Sequence, residues 1–197
     1  MTEMTQTAPP ERQRGWVRLG AVLAAFLMVG AVVVVSSRSA FSDTTDNAGN
    51  SWTAGTVIIT DDDGGSAMFN ATAMAPGSSV TECIVVTYSG TLVPADVVLY
   101  GVSGGTGLDA YLDVTIEEGS GGVFGNCTGF TLNSTPFNNT LANFSATHTN
   151  FGNGLGGWSP AVNPESKTYR ITVSLQDNNA AQGLNGTATF TWEAQNQ

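Results

Sequence analysis

The sequence predicts an all-β fold, an antiparallel β-sandwich that follows an N-terminal signal helix. Only 11% of the 197 residues are charged, whereas Gly, Thr, Ser and Asn are abundant. This composition disfavours helices and favours strands joined by tight turns. Short apolar runs after Gly49 alternate with a period of two residues, as half-buried strands do. We expect a signal peptide over residues 1–39 and a single domain over residues 40–197.

The N-terminus has the order of a secretory signal. Three arginines before residue 19 precede an uninterrupted apolar run over residues 19–35, and small polar residues follow it. Ser37 and Ser39 fit the −3 and −1 positions of a cleavage site, so we expect signal peptidase to cut between Ser39 and Ala40. The alternative is an uncleaved anchor, because 17 apolar residues are at the lower limit of a membrane span. The only membrane contact would then be through this segment.

Four segments alternate clearly enough to predict strands. In each segment the alternate residues lie on one face of the predicted strand. These residues are, segment by segment, Val80, Glu82, Ile84, Val86 and Tyr88; Leu112, Val114 and Ile116; Tyr169, Ile171, Val173 and Leu175; and Ala188, Phe190, Trp192 and Ala194. Residues 56–60, 67–73 and 96–102 are further candidates because turn residues flank them. Within residues 131–164, Leu141, Phe144 and Phe151 fit a strand, a short helix or a packed loop. About eight strands without convincing helices predict two packed antiparallel sheets.

The two cysteines, Cys83 and Cys127, lie in the part predicted to be exported, where disulfides are stable. We therefore expect a bridge between them. The alternative is two buried thiols, because spacing alone does not show whether the two Cα atoms come within bonding range.

The charge distribution excludes several partners. After residue 40 the chain has two basic residues, Lys167 and Arg170, against fourteen acidic ones, a net charge of −12. Such a surface repels phosphate backbones and anionic lipid headgroups, so we expect no nucleic-acid binding and no peripheral membrane docking.

No pattern in the sequence predicts catalysis, a cofactor or a metal. The single histidine, His148, cannot form an HExxH zinc site, and no Gly-x-Ser-x-Gly elbow accompanies it, so we interpret it as a solvated loop residue. The acidic runs 61–63 and 117–118 are the densest carboxylate clusters. Adjacent residues of a strand point to opposite faces, so we expect run 61–63 to form a solvated turn rather than a calcium site.

The segment that follows the predicted cut resembles the TasA/camelysin family. The matching residues are Ala40-Phe41-Ser42-Asp43-Thr44-Thr45 and then Gly49-Asn50-Ser51-Trp52-Thr53-Ala54-Gly55-Thr56. Weaker matches are Ala75-Pro76-Gly77-Ser78-Ser79-Val80, Ser89-Gly90-Thr91-Leu92, residues 169–175 and Phe190-Thr191-Trp192-Glu193-Ala194. The resemblance implies a SipW-type signal peptide and a jelly-roll-like sandwich. It also implies secretion to the extracellular matrix or cell surface, where some members form biofilm fibres.

We therefore predict a structural protein that is not an enzyme and whose partner is itself. Residues 40–53 are the expected donor strand, added to the sheet of a neighbouring copy with Phe41 and Trp52 as side-chain anchors. Two alternatives stay open. One is the metallo-endopeptidase activity described for camelysins, against which the missing zinc ligands argue, and the other is a monomeric adhesin or binding module.

Overall fold

Residues 53–197 form two antiparallel β-sheets that pack face to face. The computed structural model describes residues 18–25, 27 and 51–197. Its strands are β1 (Ile59–Asp61), β2 (Ser79–Tyr88), β3 (Ala95–Gly105), β4 (Leu112–Ser120), β5 (Thr131–Thr140), β6 (Leu155–Trp158), β7 (Glu165–Leu175) and β8 (Gly186–Asn196). One sheet has the order β1-β2-β7-β4-β5 and the other the order β6-β3-β8, with every pairing antiparallel. The predicted all-β sandwich is therefore confirmed.

Residues 1–52 belong to a second unit. Within it, residues 18–25 and 27 are helical, and they fall inside the predicted signal segment. Among the described residues no helix is long and apolar enough to cross a membrane. The signal function and the cut between Ser39 and Ala40 stay predictions, because both sides of the cut lie outside the described residues.

The core lies between the sheets and is built from alternate residues of the long strands. In the larger sheet Ile84 pairs with Tyr169, and Ile171 pairs with Ile116, so apolar side chains repeat from strand to strand. All four are buried, and Leu99 of β3 faces them from the smaller sheet. Burial of each such side chain stabilises the fold by about 2 kcal/mol. The apolar faces that the period-two pattern predicted for β2, β4 and β7 are thus the faces that form the core.

The stretch 131–164, for which the sequence left strand, helix and loop open, contains all three. Strand β5 leads into the α-helix Leu141–Thr147, and β6 follows a short 3₁₀ turn. Thr140 begins the helix, because its side-chain oxygen accepts a hydrogen bond from a backbone N–H of the first turn. Leu141 and Phe144 then face the core and are buried. The helix closes one end of the sandwich.

The other predicted strands have three different outcomes. Strand β3 confirms the prediction for residues 96–102, and β1 confirms only the end of residues 56–60. The prediction of a strand over residues 67–73 is wrong, since this segment pairs with no described strand. Ala73 has φ 51°, in the left-handed region that a strand does not use. Residues 67–73 therefore cross the flank of the sandwich as an irregular segment.

The strand order explains why the jelly-roll prediction is not confirmed. A jelly roll has eight strands in two sheets joined as two Greek keys. The orders β2-β7-β4-β5 and β8-β3-β6 are compatible with that connectivity, but the short β1 pairs with β2 and makes the sheets five and three strands wide. The place beside β8 on the smaller sheet is consequently not filled by any described strand.

Both basic residues of the sandwich are bound to adjacent glutamates of β4. On the outer face Arg170 Nε and Nη2 donate to the Glu117 carboxylate at 2.6 and 2.9 Å, and this contact raises the pKa of Arg170. On the inner face Lys167 Nζ lies 3.1 Å from Glu118 Oε2, with side-chain exposures of 18% and 8%. Glu117 and Glu118 thus point to opposite faces, as expected for a strand.

Lys167→Met should lower the free energy of unfolding by about 3 kcal/mol, because it leaves the Glu118 carboxylate buried without a cation. The double variant Lys167→Met/Glu118→Leu should recover most of the loss, since no uncompensated charge remains. Arg170→Met is the matched control on the more exposed face and should lower the free energy of unfolding by about 1 kcal/mol. Urea unfolding at pH 7 measures all three, and equal losses for the two single variants would contradict the difference in burial.

Glu165 attaches the turn after β6 to the start of β7. Its carboxylate accepts hydrogen bonds from Trp158 Nε1 and from the backbone N–H of Ala161, both at 2.8 Å. Both bonds lower the pKa of Glu165, and the bond from Trp158 makes the larger contribution. Because the folded state favours the ionised carboxylate, its stabilising contribution is present above the ordinary glutamate range. The contribution disappears as the pH falls through the lowered pKa.

Glu165→Gln should reduce stability at pH 7 by about 1 kcal/mol, because a neutral amide oxygen is a weaker acceptor than a carboxylate. The difference from the parent protein should shrink as the pH falls and the parent carboxylate becomes protonated. Chemical unfolding between pH 3 and pH 7 tests this, with the exposed Asp177→Asn as control. A deficit that stays constant over the whole range would refute the assignment to the ionised carboxylate.

Candidate interaction site at the open flank

Strand β8 forms an outer edge of the smaller sheet in the part of the chain that the structure describes. Its 11 residues pair with β3 in an uninterrupted register, and no described residue pairs with the opposite edge. Free N–H and C=O groups along such an edge can accept another strand. Phe190 and Trp192 of β8 are only partly buried. We call this side of the sandwich the open flank.

The other sheet edges in the described part of the chain are protected. Strand β1 has three residues and β6 has four. Strand β5 contains Pro136, and its pairing with β4 is shifted at two places. Short strands, prolines and bulges are the usual means of preventing unwanted pairing. Strand β8 contains no proline, no lysine and no register shift, so its edge is the one suited to pairing.

A groove of about 470 Å³ lies between the two sheets at the open flank. The residues that line it include Val80, Ile84, Leu112, Leu141 and Val173 from the core side, Ala188, Phe190 and Trp192 from β8, and Met68, Phe69 and Met74 from the segment that crosses it. Its volume falls in the range of ligand-binding clefts, and most of these side chains are apolar.

The segment over the groove, residues 66–74, is held by side chains alone. Met68, Phe69 and Met74 pack against the core. No backbone group of residues 67–74 forms a hydrogen bond with another described residue. Near its end Ala73 adopts a left-handed φ of 51°, which costs about 1 kcal/mol in a residue with a Cβ. We call residues 66–74 the strap.

Asp62 closes the edge of β2 just before the strap begins. One carboxylate oxygen accepts the backbone N–H of Val85 and the other accepts the N–H of Phe124, both at 2.8 Å. In the same loop the N–H of Gly125 donates to the carbonyl oxygen of Cys83 at 3.0 Å. These bonds occupy main-chain groups of β2 that would otherwise be free. Of the two strands that border the groove, β8 is therefore the more accessible.

The predicted disulfide is present between Cys83 and Cys127. Their Cα atoms are 5.3 Å apart, and the bridge closes a separation of 44 residues. Cys83 is fully buried on the middle of β2, while Cys127 lies in the loop whose N–H groups contact Asp62 and β2. The bridge therefore fixes that loop to the edge of β2, beside the open flank.

Cys83→Ala/Cys127→Ala should lower the free energy of unfolding by about 4 kcal/mol, because the unfolded chain gains loop entropy. Guanidinium unfolding of the two proteins measures the difference. Reductant should destabilise the parent protein by a similar amount and leave the double variant unchanged. A parent protein whose unfolding midpoint does not respond to full reduction would contradict this prediction.

The residues considered for metal chemistry do not form a centre. Among the described residues no group of three His, Cys, Asp or Glu side chains could hold a metal ion. His148, expected to be solvated, is partly buried. Its ring lies 5.7 and 5.4 Å from those of Phe137 and Phe144, and Nδ1 donates to the carbonyl of Asn153 at 2.7 Å. This histidine is thus part of an aromatic cluster beneath the helix.

Residues 61–63 form an exposed turn in which each carboxylate has a separate partner. Asp63 accepts the N–H of Gly65 at 2.6 Å, and Asp61 accepts the N–H of Asp63 at 3.2 Å. The pKa of Asp61 is raised, chiefly because the carboxylate is partly desolvated. The side-chain hydrogen bond and the charge of Asp63 add to this increase. Sequence reasoning identified the turn but missed the bridging role of Asp62, because its partners lie 23 and 62 residues away.

The other residues singled out from the sequence belong to the expected cleavage site and donor strand. Ser39, Ala40 and Phe41 lie outside the described residues. Trp52 is described and is 87% exposed. The role of Phe41 and Trp52 in contact between copies stays a prediction.

Among the residues that the structure describes, the fold and the site define a two-sheet β-sandwich with one unprotected strand edge beside an apolar groove. Comparison with known proteins does not assign the chain to a narrower class of protein. No protein-family model matches the chain, and no curated protein matches it closely enough to count as a relative. The resemblance to the TasA/camelysin family therefore rests on the residues quoted from the sequence.

Proposed function

We propose that this protein is a secreted structural protein that assembles with copies of itself into extracellular or biofilm-matrix fibres by strand addition. The observation that carries the proposal is the 11-residue outer edge of β8, which contains no proline, no lysine and no register shift and has no pairing partner among the described residues. Main-chain hydrogen bonds along such an edge provide affinity, and side-chain pockets beside it provide specificity. The resemblance to the TasA/camelysin family agrees with this function.

The proposed occupant of the edge is residues 40–53 of a second copy. This segment has 14 residues and can match the 11 residues of β8. It includes two aromatic side chains, Phe41 and Trp52, and the groove beside β8 offers an apolar surface for them. Because the segment would follow the leader directly, cleavage after Ser39 would free it at export.

Charge also favours a partner that brings little negative charge to the groove. Both cations of the sandwich are bound to glutamates, while the exported part has a net charge of −12. Copies therefore repel one another at low ionic strength. Residues 40–53 contain two acidic residues, Asp43 and Asp46. Their contact with the flank should strengthen when salt screens the repulsion.

Deletion of residues 40–47, with a working signal peptide retained, should abolish fibres because the donor strand is lost. The full mature protein should form fibres, faster in salt or at lower pH, where its negative charge is screened or neutralised. Negative-stain electron microscopy and size-exclusion chromatography measure both proteins. A synthetic peptide of residues 40–53 should bind the deleted protein one to one, and a scrambled peptide is the control.

Fibres of the same form from the deleted protein would exclude residues 40–53 as the connector. If neither protein forms fibres in any salt or pH tried, the monomeric adhesin becomes the better description. Casein cleavage that is sensitive to chelators would instead support the camelysin-type endopeptidase.

A further inference from the structure

The strap is fixed at its two ends, and between them its backbone forms no hydrogen bond with any residue that the structure describes. Before it, the turn closes through Ser66 N–H to the carbonyl of Asp63 at 3.1 Å. After it, Gly77 N–H donates to the carbonyl of Leu175 at 2.8 Å. Between these points only apolar packing and the left-handed Ala73 keep residues 67–74 over the groove. A segment of this kind opens locally at low free-energy cost.

The fixed point before the strap depends on one side chain and one covalent bond. Asp62 connects β1 both to β2, through Val85, and to the loop that contains Phe124. The Cys83–Cys127 bridge in turn secures that loop to β2. Without the bridge the loop can move away from Asp62. Without the Asp62 carboxylate, the chain that leads into the strap loses its contact with both elements.

We propose that Asp62 and the Cys83–Cys127 bridge together form a latch that keeps the strap closed over the groove. The latch controls how often the groove beside β8 is open to a strand from another copy. This consequence for assembly rests on the proposed function, whereas the control of strap opening does not. Bridge formation after export would make the sandwich monomer resistant to premature association.

Methionine oxidation reports on the strap directly. In a protein that begins at Ala40 the only methionines are Met68 and Met74, and both lie in the strap. Both side chains are partly buried against the core, so the rate at which peroxide oxidises them follows the fraction of open strap. Peptide mass spectrometry measures the two rates in the folded monomer.

Asp62→Ala should raise both oxidation rates by at least about tenfold, because it removes two charge-assisted hydrogen bonds and the loss of even one changes an equilibrium by about that factor. Asp62→Asn keeps one acceptor oxygen and should give an intermediate rate. Cys83→Ala/Cys127→Ala, which lacks the bridge and has no thiols that peroxide could oxidise, should also raise the rates. The exposed Asp177→Ala is the control and should match the parent. Circular dichroism confirms that each variant is folded.

Parent-like oxidation rates in folded Asp62→Ala and in folded Cys83→Ala/Cys127→Ala would overturn the latch. Faster oxidation with no fibres from any variant would support the latch and count against the proposed function. If the parent forms fibres, Asp62→Ala should shorten the lag before growth. An unchanged lag together with faster oxidation would overturn the control of assembly by the latch.

Discussion

The pairing of β7 with both of its neighbours is the constraint on which the rest of the sandwich depends. All but one of its 11 residues have partners on β2, and eight residues of β4 pair with its other side. This double pairing places Tyr169 and Ile171 in the core and fixes the register of the two strands beside it. A shift by one residue would move every one of these side chains to solvent.

The same register determines where the few positive charges go. Lys167 and Arg170 occupy opposite faces of β7, and each lies beside the glutamate of β4 that shares its face. Breaking the inner pair destabilises the fold strongly, because its carboxylate is nearly inaccessible to water. The outer pair also covers the ring of Phe130, which lies 4.4 Å from the Arg170 guanidinium carbon. The exposed charges of the sandwich are consequently mostly acidic, and separate copies therefore repel one another at low ionic strength.

The sequence predicted those features that arise from local alternation. Strands β2, β4, β7 and β8 contrast apolar and polar faces strongly, and the disulfide prediction followed from two cysteines in a domain predicted to be exported. The prediction of a strand over residues 67–73 rested on the turn residues that flank the segment, and this signal was misleading because the segment pairs with no described strand. Strand β6 has the sequence Leu-Gly-Gly-Trp, too short and too rich in glycine to be recognised. Strand β5 is mostly polar, and only its register with β4 makes it a strand.

The candidate site could not be predicted because its parts are distant in sequence and have ordinary local patterns. Asp62 looks like any residue of an acidic turn until Val85 and Phe124 are brought to its two oxygens. The strap looks like a strand, and β8 looks like every other amphipathic strand. What distinguishes them is the missing neighbour of β8, a property of the sheet order rather than of any segment.

Because β8 has no neighbour among the described strands on its outer side, the open flank has two opposing physical requirements. The apolar groove must be covered while the monomer is in solution, because an exposed apolar surface beside a free strand edge promotes aggregation. The cover must also be removable if the edge is to receive a strand. A hydrogen-bonded strand in the same place would satisfy the first requirement and prevent the second. The strap covers the groove with Met68, Phe69 and Met74 but forms no hydrogen bond with the outer edge of β8. It therefore protects the apolar surface without competing for the hydrogen bonds that strand addition would form.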